Sequence, residues 1–146
     1  MKLISHRGNI NGKIENMESE PTYIDLAIQK GYEVEVDVWY KDGNLFLGHD
    51  KPEHLIDIGW LLNRIGKLWV HCKNIEAVTF FKECEYEFHY FWHQEDDITL
   101  TSFKYIWAYP GKQPIKNSIA VMPELNGDDT SKCVGICSDY IINYNL

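Results

Sequence analysis

No stretch of this sequence approaches the roughly 20 consecutive apolar residues of a membrane-spanning helix. Its start, Met1-Lys-Leu-Ile-Ser-His6, turns polar too soon for a secretory leader. Membrane insertion is therefore not expected, and a cytoplasmic location is the expectation. Basic residues are scarce: 14 Lys and Arg stand against 22 Asp and Glu, giving a net charge of −8. With no Lys/Arg run to offset that field, nucleic acid is not an expected partner, although one or two basic groups in a cleft suffice for a small phosphate ester. Cysteine is sparse as well. Of Cys72, Cys84, Cys133 and Cys137 only the last two are close in sequence, so a four-cysteine zinc site lacks its second pair and ordinary buried thiols are expected. There is no repeat, low-complexity tract or linker, and the 146 residues read as one domain, 1–146.

What is abundant is aromatic. Trp, Tyr and Phe make up 14% of a chain that is 45% hydrophobic, which argues against disorder. Lys2 to Ser5 reads as a short strand ending at His6-Arg7-Gly8, and the polar segment 9–19 as a loop. From Pro21 the apolar residues Tyr23, Ile24, Ala27 and Ile28 recur at helical spacing, with Gly31 just past the end. Glu33-Val-Glu-Val-Asp-Val-Trp39 alternates strictly and is the clearest strand. Asp42-Gly43 marks a tight turn into Leu45–Leu47. A short helix is expected over 56–65, a strand over 68–72 and a helix over 75–84. Thereafter 88–93, 105–109, 118–122 and 134–137 read as strands with short connections, and 100–102 and 110–111 as turns. Strand–helix alternation followed by strands with abbreviated links implies a parallel α/β protein with a trimmed second half.

The polar residues fall at strand exits. His6 and Arg7 follow the first strand, Glu35 and Asp37 lie late on the second, and His49 follows the next apolar run. His71 and Lys73 end another, and His93 ends the one after that. In parallel α/β folds those ends converge on one crevice. Glu35 and Asp37 are two apart on a strand and leave the same face. Turned inward they require a cation, for which Mg²⁺ or Ca²⁺ is suited; on an exposed antiparallel strand they would sit in solvent, and alternation alone leaves both open. His6 and His49 form a natural acid–base pair. Arg7 offers a planar fork of donors to phosphate and Lys73 a point charge. His93, Trp107 and Tyr109 would wall a substrate pocket, or, for the aromatic rings, fill a core left thin by missing helices.

His6-Arg7-Gly8, Glu35-Val-Asp37 and Gly48-His49-Asp50, in this order and spacing, resemble the signature of the glycerophosphodiester phosphodiesterases, members of a phospholipase C-like superfamily. The resemblance covers residues 3–50, reaches Trp69–Lys73 and Gly135–Asp139 less completely, and leaves 85–132 unmatched. It implies a TIM-type (β/α) barrel, here compact or incomplete because about 200 residues or more are usual. It also implies a phosphoric diester hydrolase for small glycerophosphodiester-like substrates, with His6 and His49 as acid–base pair and Arg7 and Lys73 on phosphate. Glu35 and Asp37 would hold one divalent cation. The family's third carboxylate ligand aligns with His71, which shifts preference toward Mn²⁺ or Zn²⁺, and Glu124 is a candidate to supply the missing carboxylate at the pocket. Two alternatives stand beside hydrolysis: a lyase that releases a cyclic phosphate, and a barrel that has lost turnover and binds a metal or an anionic metabolite.

Overall fold

Alternation along Glu33–Lys41 decides the architecture, because it gives one strand two buried faces of opposite character. Val34, Val36 and Val38 pack outward against helices, while Glu35 and Asp37 face inward and are fully buried as well. A computed structural model describes residues 1–145. Its strands are β1 (Lys2–His6), β2 (Glu33–Lys41), β3 (Asn44–Leu47), β4 (His54–Ile56), β5 (Leu68–Cys72), β6 (Tyr90–Phe91), β7 (Ile98–Leu100), β8 (Ile106–Ala108), β9 (Ser118–Val121) and β10 (Gly135–Ser138). The helices are α1 (Pro21–Gln29), α2 (Ile58–Leu62) and α3 (Ile75–Glu83).

All ten strands belong to one sheet. Its centre is a run of parallel neighbours, β6-β5-β2-β1-β10-β9-β8, in which the first strand pairs with both the second and the last. The sheet curls, and its two parallel edges meet through an irregular patch rather than a ladder. There β7 runs antiparallel to β8, and just beyond it the Ser102 N–H donates to the Tyr90 carbonyl at 2.8 Å. The Tyr90 N–H in turn donates to Ser102 Oγ at 2.9 Å. The result is a mixed α/β fold compatible with an incomplete barrel. Among the described residues no α-helix follows Glu83; the later connections carry only 3-10 turns at Pro123–Leu125 and Ile141–Tyr144.

The helices begin where local chemistry tells them to. Glu20 caps α1 by accepting from the Tyr23 N–H, with Pro21 in the first turn. Asp57 and Asn74 do the same for α2 and α3. Ile24 and Ala27 of α1, Leu61 of α2, and Ala77 and Phe81 of α3 cover the valines of β2; among these the buried Ile, Leu, Phe and Val side chains each stabilise by roughly 1.5–3 kcal/mol. A second cluster, Ile4, Trp69, Phe91, Trp107, Ile119 and Cys137, fills the inside of the curl. Below it, at the end opposite the strand exits, His89 lies 4.0 Å from Trp69 and 4.5 Å from Phe103, ring centre to ring centre.

The expected elements differ at several points, the strands expected over 88–93 and 105–109 being confined to Tyr90–Phe91 and Ile106–Ala108. The helix expected over 56–65 is helical only over Ile58–Leu62, because Ile56 is drawn into β4 opposite Leu45. Leu100, expected in a turn, closes β7 opposite Ile106. The four cysteines are free thiols, and burial pushes the Cys72 thiol up to about 12.

Candidate metal and acid–base site

Glu35 and Asp37 project from β2 into the curl, and His71 projects beside them from β5, whose register places His71 opposite Asp37. His71 Nδ1 stands 3.5 Å from Glu35 Oε1 and 3.2 Å from Asp37 Oδ1. Its other nitrogen, Nε2, donates to the His93 carbonyl at 2.7 Å. That backbone bond fixes the ring and turns Nδ1 toward both acids. One donor atom from each of Glu35, Asp37 and His71 lies within 4.8 Å of the others.

The acids are poorly satisfied. Glu35 Oε2 and both oxygens of Asp37 are buried without an aligned hydrogen bond, and so is Arg7 Nε. Arg7 Nε is nonetheless 3.2 Å from Asp37 Oδ2, and Lys73 Nζ is 3.8 Å from Asp37 Oδ1. The group is held by charge, with the N–H directions missing the oxygens. Burial alone would raise the Asp37 carboxyl, but the His71 contact, Arg7 and Lys73 outweigh it and hold it at about 2. Burial alone would lower His71, and the contacts with Asp37 and Glu35 instead lift it to about 9. Without an ion His71 is thus an imidazolium that balances the acids. Deprotonated, it offers a lone pair at the point the two carboxylates share. A buried donor set of two carboxylates and one imidazole, with an outer hydrogen bond orienting the imidazole, fits a divalent cation.

His6 ends β1 next to this group. Its Nδ1 is 2.7 Å from Asp139 Oδ1, and its Nε2 is 3.8 Å from Glu35 Oε2. Asp139 follows β10, the strand paired with β1, and is buried. It also accepts from Asn9 Nδ2 at 2.9 Å, and Asn9 is held in turn by Glu18 at 2.7 Å and Tyr23 at 3.1 Å. Burial raises the Asp139 carboxyl, but the His6 bond and charge and the Asn9 bond pull it below its ordinary value.

Arg7 comes next, in the left-handed region at φ 56°, followed by Gly8 at φ 92°. A Cβ on Gly8 would meet Tyr23 Cδ1 at 2.7 Å, so the close turn requires glycine. The turn folds the Arg7 side chain back over Asp37, with Nη1 3.6 Å from Glu18. Two of its three nitrogens thereby face carboxylates. Its guanidinium is held protonated more firmly than usual: burial works against the charge, but Asp37 and Glu35 outweigh it.

His49 arrives by a different route, on the hairpin extension of β2. The Gly48 N–H donates to the Asp37 carbonyl at 3.1 Å and Trp39 Nε1 to the Gly48 carbonyl at 2.7 Å, which pins the segment against the end of β2. His49 Nδ1 contacts Asp50 Oδ1 at 2.7 Å, a pair largely open to solvent.

His6, Arg7, Glu35, His49, His71 and Lys73 line one cavity of about 270 Å³. Trp107, Tyr109, Pro110, Val121 and Met122 line it too, with His93 and Gln94. No family model, curated protein or solved structure matches this chain.

Of the residues anticipated from sequence, the structure brings together the metal set, the histidine pair, both basic groups, His93, Trp107 and Tyr109. Glu124 is the exception. Its Oε1 accepts from Ser138 Oγ at 2.6 Å and its Oε2 from the Tyr144 hydroxyl at 3.1 Å, tying the Ile141–Tyr144 turn to the sheet rather than reaching the cavity. His93 serves in part through its backbone, as the acceptor that orients His71, while its ring bonds the Asp96 carbonyl at 2.6 Å. Sequence reasoning assigned no role to Asp139, which the strand-exit argument applied to the last strand would have found.

Proposed function

We propose that this protein is a metal-dependent hydrolase of small phosphodiesters, built on a clipped TIM-type barrel. The observation that carries the reading is the cavity itself: two buried acids and an imidazole aimed at one point, with two basic groups and two histidines on the same wall. A phosphodiester cleavage needs that combination. His6, its Nδ1–H donated to Asp139, keeps Nε2 available to take a proton from the attacking oxygen. His49 returns a proton to the departing alcohol. Arg7 and Lys73 meet the charge on the phosphoryl oxygens. A divalent cation held by Glu35, Asp37 and His71 would, when bound, polarise and neutralise those oxygens further.

The test is hydrolysis of bis(p-nitrophenyl) phosphate and glycerophosphocholine by the purified chain, in EDTA and then with Mg²⁺, Ca²⁺ or Mn²⁺. Turnover restored by metal and reduced at least about a hundredfold in His6→Ala is the expected result. Turnover unaffected by EDTA, or retained in His6→Ala, removes the assignment. Persistence of a cyclic phosphate among the products would make the enzyme a lyase. A binding-only barrel is favoured by one observation, an imidazole, His71, standing as the third donor beside Glu35 and Asp37 where the resemblance calls for a carboxylate. Metal binding by calorimetry with no turnover on any diester would decide for it.

A further inference from the structure

Several non-glycine residues have left-handed backbones, and of these Arg7 and Met122 line the cavity. Both sit immediately past a strand, Arg7 after β1 and Met122 after β9. Successive side chains along a strand point to opposite faces. Ile119 and Val121 face the inside of the curl, so an extended residue 122 would face away from it. At φ 47° and ψ 50° the chain instead reverses, and Met122 joins Val121 on the cavity wall.

The conformation is unfavourable for an L-residue, and doubly so before proline, where Pro123 restricts the preceding backbone. It is held in place: the Met122 N–H donates to the Cys137 carbonyl at 2.8 Å, and Pro123 is buried. Glycine would remove the part of this strain that comes from the Cβ. Methionine keeps a long, unbranched side chain at the rim. The strand order sets β8 and β9 on one side of β10 and the strands bearing His6, Glu35, Asp37 and His71 on the other. The cavity therefore has a charged side and an apolar side, and at about 270 Å³ it is small for a ligand pocket.

We propose that Met122 is a specificity-determining residue, whose side chain, folded back by the left-handed turn, restricts the size of the alcohol group an ester can carry in this cavity. The inference rests on the cavity being a phosphate-ester site.

The experiment is calorimetric binding of methyl phosphate and phenyl phosphate to the full chain, as wild type, Met122→Ala, Met122→Gly and Leu125→Ala. Leu125 is exposed and off the cavity, and serves as the control. Removing the methionine side chain is expected to shift the affinity ratio toward phenyl phosphate by about tenfold, with Leu125→Ala unchanged. Met122→Gly is expected to unfold at a higher temperature than Met122→Ala, the reverse of the usual order, because only glycine relieves the turn. An unchanged ratio in both Met122 variants overturns the proposal, as does binding of neither ester by any form. A shifted ratio in a protein that hydrolyses no diester keeps Met122 in this role and removes the hydrolase reading instead.

Discussion

Glu35 and Asp37 stand close together in the interior with three oxygens lacking an aligned hydrogen bond, and the charges of His71, Arg7 and Lys73 offset that cost. Glu35→Gln keeps the shape and removes one of the two charges. Metal affinity is expected to fall at least about tenfold by calorimetry, while the Tm in EDTA holds or rises by a few degrees. A lower Tm in EDTA would mean that the carboxylate is a structural group. Asp139→Asn is expected to cost roughly tenfold or more in kcat with little change in Tm, since an amide no longer holds the His6 ring in its working tautomer; unchanged steady-state kinetics would exclude that role. Seven of these residues, from His6 to Lys73, were legible in sequence because each sits at the exit of a strand whose alternation is plain. Asp139 sits at such an exit too, but its role as partner of His6 was not legible, because the two lie 133 positions apart and meet only once the outermost strands in sequence are side by side. Glu124 misled for a local reason: the left-handed turn at Met122 redirects the chain, and the acid after it goes to Ser138 and Tyr144.

Among the elements, α3 and its cap do the most to hold the charged side of the cavity. Asn74 Oδ1 accepts from the Ala77 N–H at 3.1 Å and from the Tyr40 N–H at 3.2 Å. Its Nδ2 donates to the Tyr40 carbonyl at 2.8 Å. One side chain thus starts the helix and fastens the far end of β2, directly after Lys73. Asn74→Ala is expected to destabilise by about 2 kcal/mol, the sum of a lost cap and unpaired backbone groups, read as a lower urea midpoint. A change below about 0.5 kcal/mol would show that water takes over these bonds. The long elements were legible because their apolar period is intrinsic. The strands β4 and β7 were not: each has three residues, and each is a strand only because an antiparallel neighbour supplies its hydrogen bonds. The irregular contact between Tyr90 of β6 and Ser102, just past β7, likewise follows from no residue pattern.

At the scale of the molecule, acid sensitivity has a source far from the site. His89 is buried against Trp69 and Phe103, with Nε2 2.7 Å from Thr101 Oγ1, and burial lowers it to about 4 from an ordinary 6.5. Well above pH 6.5 the ring is neutral whether the chain is folded or not. As the pH falls from 6.5 toward 4, the unfolded chain takes up a proton that the folded one refuses, so stability is lost across that window. The loss is on the order of 2 kcal/mol between pH 7.5 and 4.5. His89→Phe keeps a ring between Trp69 and Phe103 and is expected to flatten this part of the urea-unfolding profile. A profile as steep as that of the wild type would place the acid sensitivity elsewhere.

The pairing of β1 with both β2 and β10 has a consequence in time. The strand made early in synthesis cannot complete its ladder until residues 135–138 have emerged. A pairing between strands so far apart in sequence closes slowly, against a large loop entropy. Until it closes, the edge of β1 and the apolar interior beneath it stay open to other chains. Because His6 ends β1 and Asp139 directly follows β10, the His6 ring gains its carboxylate partner only once that ladder has formed.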